Sequence, residues 1–139
     1  MRTTLIDTGP LVAYLDGADA DHGRIASTLG EFSGALCTTS AVITEAMHLL
    51  EDGKSGPRRL AELVQAAGVE VFESTQPQQL FSAVALMEKY SDTPMDFADA
   101  TLVLLSDEVG TTDIFTLDRR GFEVFRNRNG ESYVVMPSR

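Results

Sequence analysis

The sequence predicts an α/β domain, a mostly parallel sheet covered on both faces by helices, spanning residues 1–139 as one unit. Two observations lead there. Short β-type segments alternate with amphipathic helical segments from end to end, the pattern of successive βαβ units. The composition, 43% hydrophobic and 23% charged over 139 residues, is that of an ordinary globular chain able to bury a core.

Taken in order, "TTLI" (3–6) is a short strand stopped by "DTGP". "PLVAYLD" starts a helix, with Pro10 suited to the first helical position. "ADADHGRIASTLGEF" places Ile25, Leu29 and Phe32 at helical spacing. "ALCTT" is a buried strand carrying Cys37 as a small buried residue. "SAVITEAMHLLED" is a helix closed by Gly53, with Ser40 as its cap. "PRRLAELVQAA" is a helix ended by Gly68, and "VEVFES" alternates as a strand. "PQQLFSAVALMEKY" and "MDFADATLVLLSDEV" are helices, the second closed by Gly110. "DIFTLD" is a strand. "FEVFR" and "ESYVVMP" are strands, either a hairpin around "NRNG" or separate short pieces. No repeat, linker or low-complexity tract interrupts the series.

Bulk properties exclude several classes. No apolar run reaches the ~18 residues of a membrane span. The opening "MRTTLIDTGPLVAYLDG" is broken by Asp7 and Gly-Pro and lacks a clean cleavage site, so it reads as mature protein. A single cysteine excludes an internal disulfide and a cysteine-based zinc site, and points to reducing cytosol. The net charge of −10 is wrong for a phosphate-binding surface unless bound cations change the sign of the site. Arg119, Arg120, Arg126 and Arg128 crowd the C-terminal part; Lys54, Arg58 and Arg59 form a smaller group.

Five acids stand among apolar residues. Asp96 and Asp99 are i and i+3 on one helix and lie about 60° apart on one face, opposite a stripe of Ala98, Leu102, Leu105 and Val109. Asp96 also suits the cap of that helix. Glu45 has Ala41, Val42 and Leu49 as helical neighbours, and no Lys or Arg occurs in residues 25–53. Asp7 and Asp118 directly follow strands, where parallel sheets place their sites. Two like charges about 4 Å apart repel by roughly 4 kcal/mol at an effective dielectric near 20. Several together would exceed the ~5–15 kcal/mol stability of a small domain. Protons, arginines or hard divalent cations could relieve them; the expectation for Asp7, Glu45, Asp96, Asp99 and Asp118 is Mg²⁺ or Mn²⁺.

"LIDTGPLVAYLD", "TTSAVITEAMHLL", "MDFADATLVLL" and "IFTLDRRGF" together resemble, in order and spacing, the PIN-domain proteins, nearest the VapC-like toxins of toxin–antitoxin modules. The resemblance covers essentially the whole chain. It implies a three-layer α/β/α sandwich and a Mg²⁺- or Mn²⁺-dependent endoribonuclease. Asp7, Glu45, Asp99 and Asp118 match the four family acids, and Asp96 an additional one. Thr8 and Thr116 match hydroxyl positions beside them. Asp7, Asp99 and Asp118 are the expected metal ligands, with Glu45 completing the shell or orienting water. A bound ion acidifies its water, and a second about 4 Å away would stabilise the leaving oxygen. Products with a 5′-phosphate and a 3′-hydroxyl are implied. Arg119 and Arg120 are expected to hold flanking phosphates of RNA, alongside Thr8 and Thr116. The resemblance further implies a cognate antitoxin protein and a homodimer through "SAVITEAM" or the adjoining helix.

Other readings fit less well. A haloacid-dehalogenase-type phosphohydrolase needs an acid two residues after Asp7, where Gly9 stands. A receiver domain needs a lysine after its last core strand, and the lysines are Lys54 and Lys89. "DTG" as a protease fragment runs straight into a helix. A PIN-fold RNA-processing nuclease outside a toxin pair, or a silent module binding RNA or protein, remain as alternatives. His22 and His48 are expected to be packed or at the surface; the methionines, Phe81, Phe115 and Phe122 are expected in the core.

Overall fold

The computed structural model describes residues 2–138. Five parallel strands form one sheet: β1 (Thr3–Ile6), β2 (Ala35–Thr39), β3 (Glu70–Phe72), β4 (Asp113–Phe115) and β5 (Val134–Met136), in the order β3-β2-β1-β4-β5. Leu5 pairs with Cys37 on one side and Ile114 on the other. The helices are α1 (Thr8–Leu15), α2 (His22–Glu31), α3 (Ser40–Leu50), α4 (Gly56–Ala67), α5 (Pro77–Lys89), α6 (Phe97–Val109) and the short α7 (Arg119–Phe122).

The order of the strands explains the layers. The chain steps outward from β1 to β2 to β3, then returns across β1 to β4. Parallel crossovers are right-handed, so reversing direction places α5 and α6 on the face opposite α1 to α4. The result is the α/β/α sandwich. It explains why β1 is apolar on both faces: Leu5 is 0% and Ile6 1% exposed, against helices on either side. Val42, Leu60, Leu102, Val103 and Ile114 complete the centre of the core. Cys37 is buried on β2 as expected; burial pushes its thiol up to about 11, with Glu70 adding to the rise, so it is chemically quiet.

The end of the chain departs from expectation. "FEVFR" is not a strand. Phe122 closes α7, and Phe122 and Phe125, three residues apart, stack edge-to-face at 5.1 Å within a cluster that includes Tyr90 and Tyr133. A spacing of three is that of a helical turn; on a strand the two rings would face opposite sides. Only a single antiparallel bridge, Arg126 to Ser132, remains of the hairpin alternative, and β5 instead pairs parallel with β4. The cap of α3 is Thr39, whose Oγ1 accepts from the Val42 N–H at 3.4 Å; Ser40 is the first helical residue. Phe115 and Phe122 are buried, but Phe81 is 75% exposed. It shares an uncovered face of α5 with Leu80 and Val84. Among the methionines Met95 is buried and Met47, Met87 and Met136 half-buried; Met1 lies outside the described residues. His48 is exposed, while His22 is half-buried with Nδ1 2.8 Å from the Ala13 carbonyl.

Candidate active site

The reversal of strand order opens a crevice at the carboxyl ends of β1 and β4, flanked by the start of α6. Asp7, Glu45, Asp96, Asp99 and Asp118 line one open cavity there, of about 420 Å³, together with Thr8, Gly9, Leu49 and Leu117. Residues from four separate stretches of sequence are thus brought together by the sheet.

Each aspartate is held by its own helix start. Asp7 leaves β1 with its N–H on the Phe115 carbonyl at 2.9 Å and caps α1, its Oδ1 accepting from the Thr8 N–H at 2.8 Å. Its Oδ2 accepts from Thr116 Oγ1 at 2.8 Å. That hydroxyl in turn accepts from the Asp118 N–H at 2.9 Å. Thr116, fully buried, therefore ties the first acid to the loop of the fourth. Asp118 caps α7, its Oδ1 accepting from the Gly121 N–H at 3.2 Å. Asp96 and Asp99 form a reciprocal capping box: Asp96 Oδ1 accepts from the Asp99 N–H at 2.8 Å, and Asp99 Oδ2 from the Asp96 N–H at 3.2 Å. Asp96 thus fills the capping role its position suggests. Glu45 reaches in from α3 and has no hydrogen bond or ion pair among the described residues.

Three positioning groups are not evident from the acids alone. Thr39 Oγ1 lies 2.8 Å from Thr101 Oγ1, fastening the start of α3 to α6 and so fixing Glu45 relative to Asp99. Gly121 lies so close to Asp118 that a Cβ there would stand 2.6 Å from Oδ2. Thr8 Oγ1 is buried without a hydrogen-bond partner among the described residues, beside Asp7 in the cavity wall. A hydroxyl before a helix is a visible signal for Thr39; nothing in the sequence marks Gly121.

Electrostatics set the character of the site. Burial raises the Asp7 carboxyl to about 6; the hydrogen bonds from Thr116 and Thr8 oppose this, while Glu45 and Asp118 add to it. Burial raises Asp99 to about 8, with the charges of Asp96, Asp7 and Asp118 adding and the Asp96 N–H opposing. No arginine or lysine lines the cavity among the described residues. Arg119 is engaged elsewhere, at 3.0 Å from Glu123 Oε1 and 2.6 Å from the Pro137 carbonyl, and Arg120 is exposed outside the cavity wall.

The donor set is all oxygen and suits a hard divalent cation. Among the described residues no three acids close on one point as a ready-made cage. They ring the cavity instead. Magnesium commonly keeps several waters and takes one or two carboxylates, a binding mode that an open ring of acids accommodates.

A family model described as the PIN domain matches residues 4–127. Ribonuclease VapC26 of Mycobacterium tuberculosis is 31% identical over 134 residues, covering 96% of this chain and 99% of that protein. The crystal structure of Mycobacterium tuberculosis VapC20, described as a sarcin-ricin loop cleaving toxin, aligns with a TM-score of 0.73 at 19% identity, covering 84% of this chain and 90% of that one. At that identity the second likeness concerns the fold.

Proposed function

The chain belongs to the PIN domain family, and from that premise we propose that it is a Mg²⁺- or Mn²⁺-dependent endoribonuclease, the toxin of a type II toxin–antitoxin pair. The observation that carries this reading is the single cavity ringed by Asp7, Glu45, Asp96, Asp99 and Asp118 with no basic side chain in its wall. Asp7 and Asp99 are the principal metal ligands, with Asp118 beside them. A bound divalent ion supplies charge compensation and a water acidified toward neutrality, the two needs of phosphodiester hydrolysis. Glu45, free of internal partners, orients the attacking water. Asp96 holds Asp99 through the capping box, and Thr116 fixes Asp7 against Asp118. Thr8 holds Asp7 through its N–H, which donates to Asp7 Oδ1. Arg119 and Arg120 meet flanking phosphates outside the cavity; Arg119 must first leave Glu123.

Purified protein incubated with total cellular RNA and manganese, with cleavage sites mapped, tests this. Discrete cuts are expected, absent in the Asp7→Asn/Glu45→Gln/Asp99→Asn/Asp118→Asn variant. RNA binding without cleavage by the unaltered protein would favour a silent binding module.

The partners follow the same reading: an antitoxin encoded beside this chain, and a second copy of the chain itself, in the cytosol. No helix of the described residues is long and apolar enough to cross a membrane. A homodimer would cover the exposed apolar side chains Leu80, Phe81 and Val84 on α5. Phe81→Glu is expected to convert a dimer to a monomer in light scattering at micromolar concentration. A wild-type monomer, or a dimer unaffected by the substitution, would contradict this placement.

A further inference from the structure

Beside the acid cavity lies a second, of about 450 Å³, which shares Glu45 and Asp96 with it and runs on between α3 and the start of α6. We propose that this second cavity seats one unstacked base of the RNA strand, next to the phosphate being cleaved. The inference rests on the nuclease reading above and adds to it a recognition site.

Its continuity with the acids gives the first argument. A strand whose phosphate lies over Asp7 and Asp99 and which leaves past Glu45 and Asp96 carries its neighbouring nucleotide into the second cavity. The chemistry of the wall gives the second. Phe97, Ala41 and Ala98 supply apolar surface, suited to a base rather than to a phosphate. No arginine or lysine lines it among the described residues; His48, 3.5 Å from Glu51, is the only lining group able to carry positive charge. Its volume falls within the ~300–1,000 Å³ typical of small-molecule sites.

The polar rim adds selectivity. Ser40 Oγ donates its proton to Glu73 Oε2 at 3.0 Å, and Thr44 Oγ1 donates to the Ser40 carbonyl at 2.9 Å. Both hydroxyls are left with acceptor lone pairs, as are the carboxylates of Glu45 and Asp96. An acceptor-rich rim favours bases bearing an exocyclic amino group, which adenine, cytosine and guanine have, over uracil, which has none.

The test uses a short RNA carrying a mapped cleavage site, with an abasic nucleotide placed in turn at each position flanking the cut. Wild-type kcat/KM is expected to fall roughly tenfold at one flanking position, with uracil there nearest the abasic level. Thr44→Trp places an indole in the cavity from an exposed position. It is expected to cut intact RNA only at the reduced rate that the wild type shows on abasic RNA, and to lose nothing more when the base is removed, with an unchanged melting temperature. Equal cleavage by wild type whatever the flanking base, or wild-type behaviour of Thr44→Trp on intact RNA, would overturn the base pocket while leaving the nuclease reading in place. A wild type that cuts no RNA with manganese would overturn both.

Discussion

Asp99→Asn is expected to lower manganese-dependent RNA cleavage by about 10³-fold or more while stabilising the metal-free protein at neutral pH. The first effect follows from removing a ligand charge. Metal ions contribute several kcal/mol of transition-state stabilisation, and each 1.36 kcal/mol is about tenfold in rate. The second effect follows from the environment. Asp99 is raised to about 8 by burial and by Asp96, Asp7 and Asp118, so its charged form is disfavoured where it sits. Asparagine keeps an oxygen to accept the Asp96 N–H now held at 3.2 Å. The two readouts together separate function from fold. If Asp99 served only as the reciprocal member of the capping box, asparagine would leave cleavage near the wild-type rate. Cleavage assays and thermal melts on one preparation decide between these outcomes.

The metal-free protein is expected to lose stability as pH rises from about 4 to about 8, and divalent ions are expected to restore it. Asp7 shifts from 3.8 to about 6 and Asp99 from 3.8 to about 8 on folding. Between the unfolded and folded values the folded state holds protons that the unfolded state has released. Stability therefore falls with rising pH through that window, is unaffected by these groups below it, and is lowest above about 8. Asp7, 6% exposed, accounts for about 3 kcal/mol of this fall at 1.36 kcal/mol per pKa unit. A metal at a hundred times its Kd would return about 2.7 kcal/mol, a rise in Tm on the order of 10 °C for a domain of this size. Melting curves at pH 5 and pH 8, with and without manganese, test this. Greater stability at pH 8 than at pH 5 without metal, or equal melting with and without manganese at pH 8, would contradict it.

Much of this site is legible in the sequence because parallel strands end where helices begin. Asp7, Asp96 and Asp118 are all helix caps. The demands of capping and of ion binding fall on the same residue, so an acid between a β-type run and a helical run marks both. Glu45 is legible for another reason, an acid on an apolar helix face without a nearby cation. What the sequence hides depends on contacts distant along the chain. The Thr39–Thr101 contact joins residues 62 apart, and it goes with the cap falling on Thr39 where Ser40 was expected. Strand β4 ends at Phe115, and α7 is too short for periodicity to reveal. The aromatic and β-branched content of "FEVFR" suggests a strand, yet Phe122 and Phe125, three residues apart, turn into one aromatic cluster as on a helical turn. Phe81 looks like a core residue by type, yet α5 meets α6 through its other side, and no composition rule reports which side of a helix is covered.

Titration of manganese into metal-free protein at pH 7, followed by calorimetry in buffers of different ionisation enthalpy, tests the convergence of these acids most directly. Uptake by the wild type with release of a proton from Asp99, and loss of uptake in Asp7→Asn/Asp99→Asn, is the expected result. Folded wild type that takes up no manganese or magnesium, or a double variant that binds as tightly as wild type, would contradict it.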